Sequence, residues 1–174
     1  MVYLSHITSG EKSDFCLQIV LNGEHTFADF HASIQKACGF SPNQMASFFL
    51  SGHSPAKPIE ITQLDSGFSG SPRYNMEKTQ IRSLIRSEHE RLLYVFDFFQ
   101  DRSFDIELIQ IFMEKNLIEP SITLMKGDAP AQILEEEIRE QDFESSNMAE
   151  RYDYGDLDDY TEIFGEMEDL LEGR

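Results

Sequence analysis

Asp97 is a carboxylate inside the most apolar run of the chain, LLYVFDFF at residues 92–99. Alternation along a strand would place it on one face with Leu93, Val95 and Phe99. Such a setting disfavours the charged form of an unpaired carboxylate, which is the condition for a general base or a ligand-binding acid. The plainer reading is an aspartate that caps the following turn or pairs with Arg102. His31 is the second candidate and lies beside an apolar stripe of helical spacing. As a metal ligand it would need two or three further donors converging on it. His25 stands six residues away and precedes the stripe. A partly buried histidine with ordinary hydrogen-bond partners is the competing reading. Asp97, Arg102 and His31 form the candidate polar site, with no catalytic, metal or cofactor role assigned.

Other chemistry finds little support. The chain has no G-x-S-x-G elbow, no G-x-G-x-x-G turn and no P-loop. The acidic run DYGDLDD, residues 153–159, invites a calcium loop starting at Asp156. That frame puts Tyr160 at the fifth position, Thr161 where glycine is needed and Met167 where the bidentate glutamate belongs, so it fails. Cys16 and Cys38 are too few for a disulfide framework in a chain of 174 residues and read as reduced, buried thiols.

The elements that would hold these residues can be read from spacing. Residues 2–8 and 14–21 suit two strands of a hairpin. Thr26 and Asp29 form a capping box ahead of apolar positions Phe27, Phe30, Ile34, Ala37 and Cys38, and Gly39 can end the helix. Residues 45–50 and 59–64 read as strands, 65–73 as a flexible connection and the stretch from Thr79 as a short helix. Residues 92–99 and 103–112 read as a second hairpin closed by Gln100 to Arg102, and 121–125 as an edge strand. The expectation is an α+β domain over 1–133, with one main helix packed on a face of a mixed, mainly antiparallel sheet. Fourteen Phe and no Trp make phenylalanine the bulk of its core.

Charge divides the chain. Lys plus Arg is 14 and Asp plus Glu is 32, a net of −18. Residues 134–174 hold 16 acids and 3 bases, against 16 acids and 11 bases in residues 1–133. Duplex DNA binding draws its affinity from cations on phosphates, so direct nucleic-acid binding is disfavoured. The densest basic stretch sets only Arg82, Arg86 and Arg91 against Glu88 and Glu90. In the acidic tail, Tyr160, Ile163, Phe164, Met167, Leu170 and Leu171 recur at helical spacing, which predicts an amphipathic helix over about 158–172. Gly165 weakens that helix by roughly 1 kcal/mol, so it needs a surface to order on. The opening residues show no basic stretch followed by an apolar one, and no apolar run approaches a membrane span, so a cytoplasmic location is expected.

Residues 26–40, TFADFHASIQKACGF, with Met45 and Phe48, resemble a stretch of the plasmid pRiA4b ORF-3-like family. These are bacterial and archaeal domains of unknown function, often found near mobile elements. The family has a Leu-His pair in this helix, Gly plus an aromatic at its end and Phe in the next strand. Phe30 and His31, Gly39 and Phe40, and Phe48 stand in those places. Phe96, Asp97 and Phe98 are similar to the family's Tyr-Asp-Phe-Gly-Asp strand and turn, and Gly127, Ala129 and Pro130 to the segment before its Pro-Pro-Glu-Asp run. The chain departs at Gln44, often His in the family. It lacks the Gly-Asp turn and the Trp and His after it, and carries Ala131 and Gln132 after Pro130. The resemblance implies an α+β fold with a helix on a mixed sheet, no established activity, and a family polar site lost or altered here.

Three functions follow as expectations. The first is a non-enzymatic protein-interaction module whose acidic tail docks on a protein partner with a basic surface. The second is a small-ligand-binding or hydrolytic domain using Asp97. The third is a mobile-element-associated accessory protein acting on DNA or on a DNA-binding partner. No cofactor is expected, and the oligomeric state is left open.

Overall fold

The computed structural model describes residues 1–51, 58–64 and 73–134. Met1–Gln132 forms one compact unit and Ile133–Arg174 a second, which lies almost wholly outside the described residues. The predicted tail helix over 158–172 therefore falls outside them too.

Elements follow in the order β1 (Val2–Ser9), β2 (Cys16–Asn22), α1 (Phe27–Cys38), β3 (Ser47–Leu50), β4 (Ile59–Thr62), β5 (Arg73–Asn75), α2 (Ile81–Leu84), β6 (Arg91–Asp97), β7 (Arg102–Phe112) and β8 (Ser121–Lys126). The strands join in one eight-stranded sheet, ordered β5-β4-β3-β6-β7-β1-β2-β8. Only β4 and β5 run parallel. The two predicted hairpins are present as the β1–β2 and β6–β7 pairs, and β8 is an edge strand.

Helix α1 forms where its signals agree. The Thr26 hydroxyl accepts from the Asp29 N–H at 3.2 Å, and the Asp29 carboxylate accepts from the Thr26 N–H at 2.8 Å. At the other end Gly39 takes the left-handed conformation, φ +68°. The helix lays Phe27, Phe30 and Ile34 on the sheet.

Beneath it, register places apolar side chains side by side. Ile59, Leu50, Leu92, Ile106, Ile7 and Leu17 make one row across six strands. Ile61, Phe48, Tyr94 and Phe104 make a second. Such cross-strand neighbours are the unit by which a sheet is stabilised. The Phe48 ring lies between Phe30, 5.2 Å away and stacked, and Tyr94 at 4.9 Å. Phe104 packs with Phe96 at 4.8 Å and Phe15 at 5.2 Å.

The opposite face carries Gln18, His6, Glu107 and Arg91 in one cross-strand row, all partly or fully exposed. Binary alternation thus separates an aromatic face from a polar one.

Three expectations need correction. Arg73, read as the end of a connection, opens the unexpected strand β5. Its three residues, Arg-Tyr-Asn, are too few and too polar to show a period. The strand expected to run to Phe99 stops at Asp97, and a register shift between Val95 and Asp97 breaks the alternation. Asp97 therefore does not share a face with Phe99, which sits in the turn at 93% exposure. Arg102, placed in the turn by the sequence, is the first residue of β7 and is buried.

Gly127, just after β8, has φ +71°, and a Cβ there would lie 2.6 Å from the Asp14 carbonyl oxygen. Gly10 has open space around it and no such φ. Gly127→Ala should lower unfolding free energy by about 2 kcal/mol, whereas Gly10→Ala should stay within about 0.5 kcal/mol of the parent in urea melts.

Candidate functional site

The three candidate residues fall into two polar clusters, and no hydrogen bond joins His31 to Asp97 or Arg102 among the described residues. His31 points from α1 into the core and is 7% exposed. Its Nδ1 lies 2.8 Å from the Tyr94 hydroxyl, and its Nε2 lies 2.8 Å from Gln63 Nε2. The Gln63 carbonyl oxygen is held by the Ala46 N–H at 3.3 Å, so its amide nitrogen faces the ring and donates. Nε2 of His31 is then the acceptor, and Nδ1–H donates to Tyr94.

Burial pushes the His31 pKa down, because the apolar setting penalises the imidazolium. Burial also pushes the Tyr94 hydroxyl well above its usual range and the neighbouring Cys38 thiol up to about 12. All three groups are thus held in their neutral forms. His31 has both nitrogens engaged inside the domain, and neither faces a vacant coordination position.

The second cluster closes the end of the β6–β7 hairpin. Asp97 Oδ1 accepts from the N–H groups of Phe99 and Gln100, at 3.0 and 3.1 Å. This fixes the turn that ends β6. Its other oxygen faces Arg102 Nη1 at 3.5 Å. Arg102 also makes a two-pronged bond to Glu11, with Nε to Oε1 and Nη2 to Oε2 both at 2.9 Å. Nη1 further donates to the Gln132 carbonyl at 3.2 Å and Nη2 to the Ala131 carbonyl at 2.6 Å.

A guanidinium has five N–H donors, and here each has an acceptor. The ring of Phe96 lies under it, 5.1 Å from the guanidinium carbon. Hydrogen bonding to Glu11 is the main reason its pKa is raised further. The Gln132 side chain completes the joint, accepting from the Ser41 N–H at 2.6 Å and donating to the Ser41 carbonyl at 3.1 Å.

Arg102 therefore fastens three pieces of chain, the β1–β2 turn, the β6–β7 turn and the segment of residues 131–132, and Gln132 carries the hold on to the loop after α1. The Asp97 geometry is that of a turn-capping, arginine-paired carboxylate. Oδ1 is taken up by two backbone donors, and Oδ2 faces the guanidinium.

Sequence reading missed Gln63, Tyr94, Glu11 and Gln132 as partners. Tyr94 could have been found from the 92, 94, 96 alternation on the core face. Glu11 and Gln132 carry no such signal, because their places depend on the meeting of segments 91 and 30 residues from Arg102. The docking stripe Tyr160, Ile163, Phe164, Met167, Leu170 and Leu171 lies outside the described residues. Among the described residues, no group of three or more His, Cys, Asp or Glu could hold a metal ion. Nor is any helix there long and apolar enough to cross a membrane.

One main helix on a mixed sheet, with its buried polar groups turned inward as fasteners, defines a compact α+β domain. By sequence the chain belongs to the family described as plasmid pRiA4b ORF-3-like protein, which residues 9–138 match. Among solved structures it is similar to MM3350, a protein of unknown function from Methanosarcina mazei Go1. That likeness has a TM-score of 0.58 at 18% identity and covers 71% of this chain and 68% of the other. It shows the fold. No curated protein matches the chain.

Two outcomes test this site. Arg102→Met leaves Asp97 and two carbonyls without their donor and should destabilise by about 3–5 kcal/mol, against about 1 kcal/mol for Glu11→Gln at the half-exposed end. Urea midpoints measure both.

The lowered His31 pKa predicts a pH dependence of known sign. The unfolded chain takes up the proton first, so stability is complete above the unfolded histidine value, about 6.5. It declines as pH falls below that. His31→Gln should remove this part of the fall between about pH 7 and pH 5, measured by urea melts.

Proposed function

We propose that the chain is a non-enzymatic protein-interaction module, built to display binding segments from a rigid hairpin end. The observation that carries this reading is Phe99. Asp97 and Arg102, both buried, fix the β6–β7 turn so that Phe99 stands 93% exposed beside Phe98 at 46%. A buried ionic pair that holds an aromatic side chain out in water is unfavourable for the free domain. It is favourable where the ring enters a partner's pocket, since aromatic anchors carry most of the energy of small interfaces.

The acidic segment supports the same reading. It starts two residues beyond Gln132, which the Arg102 guanidinium grips along with Ala131. Its sequence pairs an apolar stripe with acidic neighbours, a pattern suited to a groove with a basic rim. Partner chemistry is then an apolar pocket for Phe99 and a cationic border for the acids. Asp97 as a hydrolytic base is the weaker reading, because its oxygens are already engaged.

Cross-linking and capture from cell extract should recover a specific protein with the full chain. Recovery should fall severalfold with Phe99→Asp, which touches no core residue, and with a chain ending at Gln132, while melting temperatures stay unchanged. Equal recovery by all three proteins sinks the proposal.

A further inference from the structure

Cys16 was read from sequence as a buried thiol, but it lies partly exposed on the open face of the sheet. Its sulfur is 3.5 Å from His6 Nδ1 and 3.9 Å from Nε2. The Gln18 side-chain amide nitrogen lies 3.5 Å from the same Nδ1, which suits a ring with its lone pair on that atom. On the other side, register places Lys126 of β8 directly opposite Cys16, on the same face.

The sulfur thus lies within hydrogen-bond reach of an imidazole, with a lysine as its cross-strand neighbour on the other side. Two acids stand farther off on β7: Asp105, opposite Thr8, and Glu107, opposite His6, with Asp14 in the preceding turn. Glu107 is engaged by His89 at 3.0 Å. Beside the pair, His6, Thr8, Arg91, Leu93, Asp105 and Glu107 line an open groove of about 490 Å³. It reaches the imidazole side of the pair, at His6, and carries both charge signs along its wall.

We propose that Cys16 is a modification site for low-molecular-weight disulfides, with His6 as its base and Lys126 as its electrostatic support. The Cys16 thiol passes its proton to His6. Its sulfur bonds to one sulfur of the disulfide, the disulfide's S–S bond breaks, and the other half leaves as a thiolate. That thiolate recovers a proton from the imidazolium or from water, so the exchange needs no further oxidant. The product is a reversible mixed disulfide on the open face of the sheet. Cys38 has no such companion. It ends α1, half-buried against the core, and burial raises its thiol to about 12.

The test uses the full chain with glutathione disulfide, and with uncharged hydroxyethyl disulfide as a second probe, read by intact mass and by rate. One adduct should form at neutral pH, disappear in Cys16→Ser, persist in Cys38→Ser and be reversed by a dithiol. His6→Gln should slow adduct formation roughly tenfold at pH 7, at the low end of general-base effects, and approach the parent rate near pH 10, where hydroxide replaces the base. Lys126→Gln should slow the reaction less. Labelling of Cys38 as fast as Cys16, or a parent-like rate for His6→Gln across the pH range, overturns the assignment. A faster reaction with the charged probe than with the uncharged one assigns the groove a binding role as well, and equal rates confine the site to the thiol and its base.

Discussion

One main helix has to cover an eight-stranded sheet, and this mismatch of dimensions shapes the rest of the molecule. Seven inter-strand steps make a sheet roughly 34 Å wide, while a twelve-residue helix is about 18 Å long and 10 Å across. Helix α1 therefore cannot cover the whole sheet. Loops supply the remaining cover. The segment of residues 76–85 is bound to the start of α1 through Phe27 N–H to the Thr79 carbonyl and Ala28 N–H to the Met76 carbonyl. It contributes Met76, Ile81 and Ile85 to the core. Phe15 and Phe40 come from turns and close the other end. Cover runs out at the margins, so every residue of β8 is exposed and two of three in β5 are too.

Loop cover must be held down, and that gives the buried polar groups their roles. His31, Gln63 and Tyr94 tie α1 to the central strand and to the chain after β4. Arg102 binds the turns and the chain after β8 at the opposite end of the hairpin. A buried pair of this kind is weak evidence of net stabilisation, since desolvation offsets much of the attraction. Its geometry is what matters, because a guanidinium with all donors engaged admits few alternative arrangements. The side chains most suggestive of chemistry are the ones that chain closure has consumed. What is left facing solvent is aromatic at the hairpin tip and polar on the open sheet face.

The sequence made much of this legible, wherever a signal was local. Thr26, Asp29 and Gly39 fix α1 by contacts within a few residues, so the helix could be read to its ends. The β1–β2 and β6–β7 hairpins follow from alternating runs joined by short turns. What could not be read depends on segments distant in sequence. The bulge between Val95 and Asp97 turns the expected Asp97–Phe99 face into a capped turn, and the Glu11 partner of Arg102 comes from 91 residues away. The polar role of Asp97 was legible as a turn cap beside an arginine, while the grip on Ala131 and Gln132 was not. Cys16 and Cys38, both expected buried, are each only partly so, and Cys16 differs because its strand looks apolar on both sides. Its partly exposed side became visible only when β1 and β8 were placed beside it.

The pairing of β1 with β7 has a kinetic side. Val2 lies opposite Phe112, so the innermost part of the sheet joins residues more than a hundred positions apart. Closing so large a loop carries an entropic penalty before any of its contacts are gained, and non-local pairings of this sort slow folding. During synthesis β2, α1 and β3 are all made before β7 exists to seat β1. A chain released before residue 112 has its first hairpin and no centre for it to join, which leaves the open flank of β1 as an unpaired edge in every shorter nascent form.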